Sequence, residues 1–140
     1  MKKQKFYRIM VLGLTLVMLL SATAFAVESR ASEYLSFFSA TVTKTGDGDL
    51  AVSCTVTGSK EMDSIGVNRI EIQWYNGSRW AVEKVYTSRE LLDLQASNDM
   101  YVSGKLIHTP EKSGPYRALV TVYAKDGKGS DSRVITARSV

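Results

Sequence analysis

The chain has 140 residues, with 18 Lys plus Arg against 14 Asp plus Glu, and one cysteine. Four of the basic residues and none of the acidic ones precede residue 27, so residues 27–140 carry fourteen of each; this excludes a bulk electrostatic case for nucleic acid or an anionic membrane. The length fits one domain with one core, and a lone cysteine excludes an intrachain disulfide framework.

The first segment reads as an export signal. Lys2, Lys3, Lys5 and Arg8 precede an apolar run over residues 9–20, and small residues follow at Ala24-Phe25-Ala26. That is the charged, apolar and A-x-A order of a secretory signal peptide over residues 1–26, with cleavage expected before Val27. The apolar run is shorter than the ~20 residues of a spanning helix, which disfavours a retained anchor. With no cysteine at the site for lipid attachment, the expected product is a secreted, soluble monomer of residues 27–140 with no stable membrane insertion.

From there the apolar residues recur at every second position, the pattern of half-buried strands. Strands are expected at residues 34–43, then at Leu50, Val52, Cys54 and Val56, and then at Ile70, Ile72 and Trp74. Further strands are expected at residues 80–86, at 101–108, over Tyr116, Ala118, Val120, Val122 and Ala124, and at 133–138. Seven or so short antiparallel strands mean an all-β sandwich. Asn76-Gly77 predicts a two-residue hairpin turn of type I′, and Asp126-Gly127 with Gly129 predicts another between the last two strands. Thr87 and Glu90, at capping-box spacing before Leu91, Leu92 and Leu94, predict one or two helical turns crossing between the sheets.

Cys54 in "LAVSC", Trp74 in "IEIQW" and Tyr116-Arg117-Ala118 after Ser113-Gly114 resemble the second, third and sixth strands of an immunoglobulin-like or fibronectin type III-like domain. The resemblance implies that Cys54 and Ala118 face each other across the core, with Ala118 where a second cysteine would stand. Cys54 then serves as a small buried hydrophobe rather than a reactive thiolate. The stretches "ASEYLSFFSATVTK", "VTGSKEMDSIGVNRIEI" and "GSDSRVIT" further resemble a family of small secreted single-domain proteins of Gram-positive bacteria with no characterised function. That family implies a sandwich and export, and it carries over no catalytic or binding residue. The missing second cysteine and the long stretch between Cys54 and Trp74 depart from true immunoglobulin domains.

Chemistry-bearing motifs are few. His108, the one histidine, has no Cys or His companion and reads as a surface or edge residue. No nucleophile elbow, phosphate loop or paired-carboxylate motif occurs, so neither enzyme activity nor a cofactor is expected. Acidic loops at residues 46–49 and 126–131 offer oxygen ligands for calcium but belong to opposite ends of the expected sandwich. Asp126 and Asp131 with Glu61 or Asp63 form the alternative grouping, and the favoured reading is no metal. What remains is an extracellular binding module for a protein or glycan. The alternative is an accessory or structural component that self-associates through a sheet edge. If Gln73 opposes Trp80 across the hairpin, then Tyr75, Trp80, Leu119 and Tyr123 share the outer face as an aromatic patch flanked by Arg117, Arg69 and Glu71.

Overall fold

The structure, a computed structural model, describes residues 32–139; the expected signal segment lies outside them. Eight strands form among these residues: β1 (Leu35–Lys44), β2 (Leu50–Met62), β3 (Ser64–Tyr75), β4 (Trp80–Thr87), β5 (Gln95–Ala96), β6 (Asp99–His108), β7 (Tyr116–Asp126) and β8 (Gly129–Arg138). They make two antiparallel sheets, one ordered β1-β2-β6 and the other β4-β3-β7-β8, with the two-residue β5 also paired to β3. The two sheets form a sandwich-like all-β arrangement.

Alternation decides which side of each strand is buried. Val52, Cys54 and Val56 of β2 point inward, as do Ile70 and Ile72 of β3 and Ala118, Val120 and Val122 of β7, and all join one core. Burying each of these branched aliphatic side chains contributes about 1.5–3 kcal/mol. Cys54 pairs with Ala40 on one side and Gly104 on the other, so small residues surround it within its own sheet. Ala118 enters the same core from the opposite sheet.

The long stretch between Cys54 and Trp74 is almost all strand. β2 runs on to Met62, with a register irregularity after Thr57, and β3 begins at Ser64, so the chain changes sheets across Asp63. The crossing after β4 is tighter than the sequence predicts: a turn over residues 88–90, then a single 3-10 turn at Leu92–Leu94. The Glu90 carboxylate accepts from the Thr87 backbone N–H at 2.9 Å and hydroxyl at 3.2 Å, so the capping contact forms without an α-helix to cap. Leu91 and Leu94 must both reach the core before β5 pairs with β3, and a spacing of three suits the 3-10 repeat. At that pairing Gly66 has φ +144°, and a Cβ there would clash with the Leu94 carbonyl oxygen. Only glycine lets the crossing lie so close to β3.

Candidate functional site

The hairpin joining β3 to β4 differs from the expected two-residue turn. Its loop has four residues, 76–79, and Tyr75 rather than Gln73 opposes Trp80. Asn76 organises it: its side-chain oxygen accepts from the backbone N–H groups of Ser78 and Arg79, each at 3.0 Å, while Gly77 supplies φ +97°. Because the pairing slips by two residues, side-chain parity is kept and Trp80 still points away from the core.

On that outer face the Tyr75 and Trp80 rings meet with centroids 5.2 Å apart and planes tilted by 51°. Arg117 reaches from β7 across β3 to place its guanidinium 4.5 Å from the Trp80 ring centroid, an attractive cation–π contact. Gln73, lying between, accepts from Arg117 Nε at 2.6 Å and donates to Glu71, whose other oxygen takes Arg69 at 2.9 Å. The hydrogen bonds from Arg69 and Gln73 hold the Glu71 carboxyl below its ordinary range, against a smaller opposing effect of burial. A polar chain thus runs Arg69–Glu71–Gln73–Arg117 and ends on the aromatic pair.

Leu119 and Tyr123 share this face but not the cluster. Leu119 pairs with Glu71, while Tyr123 pairs with Gly66, nine residues along β3 from Tyr75. At strand rise that separation is about 30 Å. The Tyr123 hydroxyl instead meets the Ser64 hydroxyl at 2.9 Å. The four residues expected as one patch therefore divide into the Tyr75–Trp80 pair, a separate Leu119, and Tyr123 at the far end.

Trp74, on the inner side, closes one end of the core rather than filling it. It is half-buried, its indole N–H donates to the Ser113 carbonyl at 2.9 Å, and Lys112 Nζ stands 5.1 Å from the ring centroid.

Sequence reasoning missed a buried polar network at the same end. A bulge in β4 inserts Glu83 between residues paired with Gln73 and Ile72, which turns its carboxylate inward. One oxygen lies 2.6 Å from His108 Nε2, and the other accepts from the Tyr116 hydroxyl at 2.7 Å. His108 Nδ1 in turn meets the Tyr86 hydroxyl at 2.8 Å. His108 does lie on an edge strand, as expected, but it is buried rather than at the surface. Burial pushes the Tyr86 hydroxyl up, which argues against an activated nucleophile despite the Tyr–His–Glu order. The signal for this site was the broken alternation in Ala81-Val82-Glu83-Lys84-Val85-Tyr86.

The Tyr116 oxygen also accepts from the Lys112 backbone N–H at 3.1 Å and lies 3.0 Å from the Lys112 carbonyl, pinning the loop before β7 to the strand. An open cleft of about 380 Å³ sits beside it, lined by Lys44, Gly48, Tyr116 and residues 110–114. The Tyr116 hydroxyl is already engaged, leaving Lys44, Glu111 and Lys112 as the cleft's charged groups.

The two acidic loops fall at opposite ends of the strands, since β1 bridges the chain beyond β8 in parallel at Val42 and Ser139. Asp126 takes Lys60 at 2.6 Å and the N–H groups of Lys128 and Gly129, and Asp131 pairs with Arg133 at 3.0 Å. Among the described residues, no three His, Cys, Asp or Glu side chains are grouped to hold a metal ion. Likewise, no helix among them is long and apolar enough to cross a membrane. No protein-family model, curated protein or solved structure matches this chain.

Proposed function

We propose that this protein is an exported, fibronectin type III-like binding module that engages a protein or glycan of the cell envelope or its surroundings. The outer face of β4-β3-β7-β8 is the binding surface in this reading. The observation that carries it is the Tyr75–Trp80 pair, held at the solvent side by Arg117 instead of being folded into the core. Half-exposed Trp, Tyr and Arg in contact are the composition of interface hot spots.

Two features support the fold assignment. Apart from the two-residue β5, the strands divide three and four, each sheet alternating in chain direction as in immunoglobulin-like sandwiches. Tyr116, two residues before Ala118, bonds back to the Lys112 backbone in the manner of the tyrosine corner of such domains. Export is supported by the residue order over 1–26, and non-enzymatic action by the absence of a recognisable catalytic motif in the sequence.

The test is to pass the secreted protein over cell-wall glycans and culture proteins, then repeat with Trp80→Ala and Tyr75→Ala. Binding lost in both variants at unchanged melting temperature supports the reading; a partner retained by both overturns it.

A second reading, self-association through a sheet edge, draws on β6, where Met100, Tyr101 and Ile107 are exposed on an edge strand. The β4 edge suits it less, because the Glu83 bulge interrupts that strand. Sedimentation over a concentration series separates the two readings.

A further inference from the structure

We propose that Arg117, stacked on Trp80, and Arg138, across from it on β8, form a carboxylate-binding site that recognises an acidic partner protein. This inference rests on the binding role of the face and narrows it to one chemistry.

Arg117 and Arg138 stand directly opposite each other on β7 and β8. Among the described residues neither guanidinium takes part in an ion pair within 4.0 Å, and the Glu71 charge acts on Arg117 only from farther away. The acid on the same face, Glu71, is committed to Arg69 and Gln73. A carboxylate supplied from outside would give both arginines the ion-pair partner that the described residues do not supply.

Arg117 is also prepared for such an anion. Its Nε is fixed on Gln73 and its plane lies over Trp80, while its terminal nitrogens make no hydrogen bond to the described residues. A guanidinium held this way keeps its fork free for two parallel bonds to a carboxylate and gives up little entropy on binding.

The choice of a protein over an acidic glycan follows from the surroundings. A sugar ring needs an open aromatic face, yet Trp80 has the guanidinium over its ring and Tyr75 tilted against it. The same outer face exposes Val82 on β4 and Val134 on β8, at 55% and 63% of their full surface. Carboxylates interspersed with apolar side chains are a protein's chemistry, whereas a polyuronate offers carboxylates and hydroxyls.

The experiment uses the secreted protein labelled with nitrogen-15, and three probes: a synthetic Glu/Leu peptide, its Gln/Leu counterpart, and polygalacturonate. The Glu/Leu peptide is expected to shift the Arg117 Nε–H and Trp80 indole signals at concentrations where the Gln/Leu peptide does not. Arg117→Gln and Arg138→Gln should each weaken its binding about tenfold, and Arg117→Lys should fall between, keeping the charge and losing the fork. Equal responses to both peptides, no response, or a response surviving the Gln variants overturns the site. Polygalacturonate shifting the same signals while the Glu/Leu peptide stays silent overturns the acidic-protein assignment and leaves the face intact as a binding surface. The glycan and culture-protein test with Trp80→Ala judges that broader reading separately.

Discussion

The Glu83 carboxylate and the His108 imidazole are 2.6 Å apart with side chains only 2% and 6% exposed, tying β4 of one sheet to β6 of the other. Removing one member of a buried, hydrogen-bonded pair leaves the other without its partner. Glu83→Ala should therefore cost about 3–5 kcal/mol, read by urea denaturation. A loss no larger than that of an average surface substitution would show that the pair does not join the sheets in solution.

The same pair sets an acid limit. Burial by itself pushes the Glu83 carboxyl up, but hydrogen bonds from His108, Tyr116 and the Glu111 backbone N–H, together with the His108 charge, outweigh it and leave it low. With the folded value below the ordinary value of about 4.3, its stabilisation is complete above that pH and is lost as pH falls through the folded value. Thermal midpoints measured from pH 6 down to about pH 3 should drop at the acid end. In Glu83→Gln that part of the drop should vanish.

Tyr116 sets a limit at the alkaline side. Burial first, and then its bond to Glu83, push the phenol up to about 12. A raised folded value means that the stabilisation is complete below the unfolded value of about 10 and is lost as pH rises toward the folded one. Tyr116→Phe removes a donor to a charged acceptor and should cost about 1.5–3 kcal/mol. It should also move the acid limit of Glu83 upward, which a purely local packing loss would not do.

Cys54 should react slowly. It is buried in the core, and burial pushes its thiol up to about 12, so almost no thiolate is present at neutral pH. Thiol labelling of the native protein should proceed only through unfolding, and Cys54→Ala should cost about 1 kcal/mol. Rapid labelling, or a dimer that dissociates on adding reductant, would contradict this.

The two tryptophans can be read one at a time. In Trp74→Phe the remaining Trp80, half-buried under Arg117, should be quenched by acrylamide, and adding Arg117→Ala should increase the quenching by uncovering the ring. Emission as blue-shifted and protected as that of a core residue would place Trp80 on the wrong side of the sheet.

Period-two alternation was enough to determine from sequence the all-β class, the main strands and the inward positions of Cys54 and Ala118, because parity along an extended strand fixes which side faces the core. The outward direction of Trp80 was legible for the same reason, and it survived a slip of two residues in the expected pairing. Only the tertiary structure decided the rest. Loop length set the register that joins Tyr75 to Trp80, and strand distance separated Tyr123 from them, although all three share one face. One extra residue in β4 turned Glu83 inward to meet His108 and Tyr116, which come from two other strands. Alternation records the side of a strand on which a residue lies, but carries nothing about position across strands. Contacts among β4, β6 and β7 therefore form only when the chain is folded.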